Sequence, residues 1–202
     1  MFSIERKERM EQVNKEIREC QKCELWRQRK NPVPGEGSLN PRVVFIGEAP
    51  GYWEDVKGRP FVGAAGKLLD EMIRRIGLSR ETVYITNILK CRPPKNRDPR
   101  PEEIKACTPF LEKQLEILKP EIIVTLGRHS AIYFLSKLGY SVRGITTVRG
   151  KIYYARLWDR NVRILPTFHP AATLYNVKLK DSLSKDFNLL KMEIEQQKLH
   201  LY

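Results

Sequence analysis

The sequence has no long hydrophobic run. Its apolar stretches, such as residues 122–126, fall far short of the roughly 20 residues that span a bilayer. No apolar segment with a small-residue cleavage site follows the opening residues, which are charged. Membrane and secreted classes are therefore set aside. Cysteine is scarce, with four in 202 residues. Without a secretory signal, those four are metal ligands or reduced thiols rather than a disulfide frame. Two phosphate-binding signatures, G-x-x-x-x-G-K-[ST] and G-x-G-x-x-G, are missing, so a triphosphate or dinucleotide is not expected. Repeats and low-complexity tracts are absent as well. Acidic residues are in deficit: 24 Asp and Glu against 37 Lys and Arg leave a formal charge of +13. That excess points to a polyanionic partner, and the expected location is the cytoplasm, in association with the nucleoid.

What is present suits one compact domain over residues 1–202, with 41% apolar residues. Ile4, Met10, Val13, Ile17 and Cys20 recur at three- and four-residue steps amid charges, the period of an amphipathic helix. Residues 24–41 contain Pro32, Pro34, Gly35 and Gly37 and read as an irregular surface segment. Beyond them, strands are expected over 42–46, 82–86, 121–126 and 162–165, and helices over 66–76, 131–138 and 183–198. A further helix opens at Pro101, Glu102 and Glu103. Pro109 inside it predicts a kink or a split. Residues 142–148 and 151–155 flank Arg149-Gly150 as an expected hairpin. Alternating strands and helices imply an α/β fold of three layers, α/β/α, around a central, mainly parallel sheet.

In such a sheet ligands bind at the carboxyl ends of strands. Three loops there carry chemistry: Gly47-Glu48-Ala49-Pro50-Gly51, Thr86-Asn87 and Phe168-His169-Pro170-Ala171-Ala172. A fourth, residues 58–63, brings glycines that let backbone approach a flat ligand. His169 is either a catalytic ring or a structural one. Asn87 offers a donor and an acceptor to a base edge, or caps a turn. Phe61 is a stacking platform or core. Lys90, Arg92, Lys95, Arg97 and Arg100 form a basic, proline-threaded run that contacts phosphates or stays a solvated face. Cys20-x-x-Cys23 together with Cys91 and Cys107 supplies four thiolates, the number that a tetrahedral zinc or a cubane iron–sulfur cluster takes. Spacing alone leaves the metal open.

Taken together, GEAPG (residues 47–51), GRPFVGAAGKLL (58–69), TNILKCRPPKNRDPRPEEIKAC (86–107), ILKPEIIVTLG (117–127) and FHPAA (168–172) resemble the iron–sulfur, thermostable-type uracil-DNA glycosylases, family four of that superfamily. The resemblance implies the superfamily's α/β/α fold and a [4Fe–4S] cluster on Cys20, Cys23, Cys91 and Cys107, which would pack residues 1–41 on the core. It also implies hydrolytic removal of uracil from DNA by a monomer. By similarity, Gly47, Glu48 and Ala49 line the uracil pocket, Phe61 stacks, Asn87 binds N3–H and O4, and His169 faces the O2 where charge develops. The best-known uracil glycosylases carry a water-orienting aspartate where this chain has Ala49; Glu48 is the nearest carboxylate and the second catalytic candidate. The alternatives are a noncatalytic zinc-containing nucleic-acid-binding module and a glycosylase for another deaminated base. At the far end, Gln196, Leu199 and Tyr202 resemble a sliding-clamp-binding peptide, against the plain reading of a helix end.

Overall fold

In the computed structural model, which describes residues 2–199, the apolar runs become the inner strands of one six-stranded sheet. Strands β2 (Val43–Gly47), β3 (Tyr84–Asn87), β4 (Ile122–Leu126) and β6 (Arg160–Thr167) run parallel. The short β1 (Glu36–Gly37) and β5 (Tyr153–Leu157) pair antiparallel at the two edges, giving the order β1-β3-β2-β4-β6-β5. Every residue of β2 and β4 is buried, as a parallel sheet covered on both faces requires.

Alternation along the strands divides the core into two. Val44 and Ile46 join Ile123, Phe110, Leu111 and Leu135 beneath α1 (Phe2–Arg18), α4 (Pro101–Leu118) and α5 (Arg128–Lys137). Val43 and Phe45 join Val124, Leu69, Met72, Phe187 and Leu190 beneath α3 (Ala64–Arg75) and α8 (Val177–Leu199). Three layers, α/β/α, are thus observed. Three short helices, α2 (Tyr52–Lys57), α6 (Ile145–Val148) and α7 (Pro170–Tyr175), lie in the connections. Among the described residues no helix is long and apolar enough to cross a membrane. Of the clamp-like residues, Gln196 and Leu199 fall in the last turn of α8, and Tyr202 lies outside the described residues.

Two expectations are corrected. Helix α4 continues through Pro109, so the split, one of the two outcomes expected there, does not occur. Burial of Phe110, Leu111 and Leu115 on its inner face, worth about 1.5–3 kcal/mol each, outweighs the roughly 3 kcal/mol an internal proline costs. The hairpin is not at Arg149-Gly150 either. Residues 145–148 are helical, and the turn lies between Leu157 and Arg160. There Trp158 and Asp159 both hold left-handed φ, +52° and +60°, as a two-residue type I′ turn demands. That turn normally announces itself with Asn-Gly, so Trp-Asp gave no signal.

Because β2 is followed by β3 on one side and β4 on the other, the strand order reverses at β2. The crevice outside the carboxyl end of β2 is where such a sheet takes a ligand. The loop after β6 reaches the same edge and is clamped at its root. Arg149 grips the Asp186 carboxylate through Nε at 2.9 Å and through Nη2, Thr167 donates its hydroxyl to that carboxylate, and the guanidinium lies 5.1 Å from the Phe168 ring centre. Asp186 is buried, and burial pushes its pKa up. Arg149→Ala strands this carboxylate and is expected to cost about 3 kcal/mol, read as a lowered urea midpoint. An unchanged midpoint would contradict the clamp.

Candidate active site

A cleft of about 320 Å³ opens at that carboxyl edge. Its walls include Glu48, Ala49, Glu54, Phe61, Asn87 and His169, drawn from the loops after β2, β3 and β6 and from the turn before α3. Of the residues singled out on the sequence as base-binding candidates, Glu48, Ala49, Phe61, Asn87 and His169 line it, and Gly47 lies under the Asn87 and Phe61 side chains.

Gly47 has room for no side chain. A Cβ on Gly47 would stand 2.3 Å from Asn87 Oδ1 and 2.7 Å from Phe61 Cζ, so glycine lets the carboxamide and the ring close over the end of β2. Asn87 is 1% exposed, and its Oδ1 has no hydrogen-bond partner. A buried acceptor left unpaired costs about 1–3 kcal/mol, a cost that a ligand N–H would remove.

Phe61 belongs to the core, buried beside Leu68 and Leu69, and also borders the cleft. Its backbone is left-handed, φ +50°, a strained state for an aromatic residue. The surroundings impose it. Glu54 Oε1 accepts the amides of Val62 (2.8 Å) and Gly63 (3.0 Å), and Arg80 donates to the Phe61 carbonyl. At Gly66 a Cβ would lie 1.8 Å from the Phe61 carbonyl oxygen, so α3 approaches the turn closely only through glycine. Neither Glu54 nor Arg80 was legible as a site residue on the sequence; their partners lie 8 to 19 positions away.

His169 caps α7 and packs its ring against Phe61, with centroids 5.5 Å apart. Its Nδ1 accepts the Ala171 amide at 3.1 Å, which places the proton of the neutral ring on Nε2. Burial lowers the pKa of His169, against an opposing pull from the Glu48 and Glu54 carboxylates. The ring is therefore a neutral Nε2–H donor at pH 7. Glu48 has a partner of its own: Oε2 lies 2.6 Å from His129 Nδ1, and the far side of that ring approaches Asp98 at 3.8 Å. His129, at the start of α5, lies outside the helix expected over 131–138 and was not singled out on the sequence.

The basic run divides. Lys90 is corrected: it is 1% exposed, an interior residue with no surface to offer a DNA phosphate. Its Nζ donates to Thr86 Oγ1 (2.6 Å), Gln114 Oε1 (2.7 Å), Asn87 O (2.9 Å) and Pro34 O (3.2 Å). Those four oxygens replace water around the charge. Burial still pulls its pKa down to about 7, with charge on Cys107 and Cys91 acting the other way. Arg97 is bidentate on buried Glu103 and lines the cleft, and Arg100 supplies the residue that caps α4. Arg92 bonds Asn96 at 2.7 Å, and Lys95 is exposed.

The family model described as the uracil DNA glycosylase superfamily matches residues 34–191. A type-4 uracil-DNA glycosylase of Sulfurisphaera tokodaii is 52% identical over 183 residues, covering 90% of this chain and 83% of the relative. Another of Saccharolobus solfataricus is 50% identical, covering 92% and 87%, and one of Thermotoga maritima is 47% identical, covering 85% and 86%. The chain belongs to the type-4 uracil-DNA glycosylases.

The two cysteine pairs are distant in the chain, and the fold unites them. Cys20, Cys23, Cys91 and Cys107 line one cleft with Ile17, Leu25 and Phe110. Donors already face three of the sulfurs: the Lys90 amide on Cys107 and Arg29 Nη1 on Cys91, both 3.2 Å, and the Lys22 amide on Cys20 at 3.5 Å. Such donors suit thiolates, so the set fits a metal cluster. Burial raises the pKa of Cys23 and Cys91, and of Cys107 to about 12, so metal loading must expel protons.

For this type-4 glycosylase, His169 gives a pH signature. An unfolded imidazole titrates near 6.5 and the folded one lower, so the folded state binds fewer protons. Stability is then complete above about pH 6.5 and falls as the pH drops below it. Histidine NMR is expected to place the His169 midpoint below the ordinary value, and His169→Gln to flatten the stability loss in that window. A midpoint at or above 6.5 would contradict the neutral-ring assignment.

Proposed function

We infer that the protein hydrolyses the N-glycosidic bond of deoxyuridine in DNA, releasing uracil and leaving an abasic site. The observation that carries this reading is the unpaired Asn87 Oδ1 at the end of a cleft of base-accommodating size. Uracil extruded from the stack presents N3–H to that oxygen and O4 to the carboxamide nitrogen. Cytosine reverses both groups and would leave the acceptor unpaired, a penalty large enough to discriminate. Phe61 supplies the stacking face, and its rigid turn spares the entropy of ordering it on binding.

The bond breaks toward a cationic sugar and a uracil anion. His169 Nε2–H is the donor for the O2 where negative charge gathers, and a neutral ring is strong enough because it is held in place beforehand. With Ala49 in place of the usual aspartate, Glu48 is the carboxylate at the cleft that holds the water. His129 fixes it there. A dissociative transition state asks little of its nucleophile, so Glu48 ranks below His169 in weight.

The four cysteines take a [4Fe–4S] cluster whose part is structural: it ties residues 1–41 to the loop after β3. The donors on the sulfurs and the removal of Cys91 and Cys107 from solvent support that reading. The partner is uracil-containing DNA. Arg92, Lys95 and Arg100 are left as phosphate contacts on that loop, Arg97 being engaged with Glu103.

Alkali-revealed strand cleavage of matched oligonucleotides carrying one U, T or C is expected to occur at U alone. It should fall by about 100-fold or more in His169→Ala and drop in Asn87→Ala, with Glu48→Ala losing less than His169→Ala in single turnover. Equal or reversed losses would refute the ranking. No cleavage by metal-loaded protein would instead favour a noncatalytic, zinc-containing nucleic-acid-binding module.

Cys91→Ser is expected to lower the melting temperature and DNA affinity before it affects the chemical step at saturating DNA. A cluster-free Cys91→Ser protein with normal melting and normal binding would remove the structural role.

A further inference from the structure

Beside the uracil cleft, two large aromatic side chains stand in solvent. Tyr52 is 45% and Trp53 55% exposed, in edge contact with ring centres 5.1 Å apart at the start of α2. They are flanked in sequence by cleft residues, Pro50 and Gly51 before and Glu54 after. Trp53 also borders the turn that carries Phe61, since a Cβ on Gly63 would sit 3.7 Å from its Cδ1. The pair therefore forms part of the cleft rim.

Two cations converge on the same place. Lys30 Nζ lies 5.5 Å and the Arg92 guanidinium 5.1 Å from the centre of the Tyr52 ring. They come from segments far apart in sequence, and neither joins a carboxylate in an ion pair among the described residues. Tyr52 thus holds two charged heads through cation–π contact, and the face of Trp53 is left for another partner. The support is rigid: Asp55 accepts the Lys30 amide at 2.9 Å, Asn31 Nδ2 donates to the Asp55 carbonyl at 3.0 Å, and Glu54 is tied to the Phe61 turn. An exposed indole next to two unneutralised cations matches the chemistry of a single nucleic-acid strand, which offers a π-face and a phosphate at every step.

We propose that Trp53 is a stacking platform for the nucleobase adjacent to the extruded uracil, with Lys30 and Arg92 holding that strand's phosphates. The proposal rests on the uracil-glycosylase reading above; it shares Arg92 with that reading and adds Tyr52, Trp53 and Lys30, which that reading does not use. A base in a single strand reaches the platform without breaking a base pair, so single-stranded substrate gains most.

The test is binding of the full chain to single-stranded oligonucleotides carrying a non-hydrolysable 2′-fluoro-deoxyuridine, with an abasic analogue placed in turn on its 5′ and its 3′ side. Trp53→Ala is expected to weaken binding by about 5- to 100-fold, and Trp53→Phe to restore most of it. Removing the neighbouring base on one side should weaken the wild type to the level of Trp53→Ala without weakening Trp53→Ala further. Unchanged affinity in Trp53→Ala, or losses that add with base removal, would overturn the platform while uracil release by the wild type still stands. Failure of the wild type to release uracil would overturn the underlying reading, and the platform with it.

Discussion

The ammonium of Lys90 links the parts of this molecule that matter for function. A charge with no access to water is tolerable only where fixed oxygens replace its hydration, and here four do so from three separate pieces of chain. Pro34 belongs to the segment before β1, Thr86 and Asn87 to β3, and Gln114 to α4. The same residue's backbone faces the other way, its amide on Cys107 and its carbonyl on the Val33 amide. Thiol site and base cleft are therefore joined through one residue. Asn87 lies three positions before Lys90 and four before Cys91.

The cleft itself is a place where local rules are broken, and each breach is held by something nearby. An aromatic residue in the left-handed region is kept there by Glu54, Arg80 and the close approach of Gly66. A buried carboxamide oxygen goes unpaired because β3 ends at Asn87 and the rest of the residue is locked by the Lys90 contact to its carbonyl. Folding free energy spent on such features is recovered when a ligand of matching donor pattern arrives. Preorganisation matters more than usual for a flipped base, since extrusion already costs a few kcal/mol.

Much of this was legible in the sequence because the sheet obeys a simple rule. Glycine, asparagine and histidine at the ends of buried apolar runs must meet at one edge once the runs lie parallel, and Gly47, Asn87 and His169 do. The signals that failed were those set by tertiary contact alone. Lys90 sits in a run of basic residues that reads as a surface loop facing phosphates or solvent, and only the approach of Gln114 and Pro34 makes it an interior residue. Glu54 and His129 act through partners in other elements, Val62 and Glu48, which no local spacing reveals. The Trp158-Asp159 turn adopts a glycine-type backbone without glycine, since β5 and β6 are held by their pairing.

On the proposed reading, positive charge draws the protein to any polyanion, and the donor and acceptor pattern at the cleft end confers selectivity. The most direct test of that claim is a crystal structure with free uracil bound. The account requires N3–H on Asn87 Oδ1, the ring against Phe61, and O2 within hydrogen-bond reach of His169 Nε2. Uracil seated elsewhere, or held in the cleft with Asn87 Oδ1 still unpaired, would contradict it.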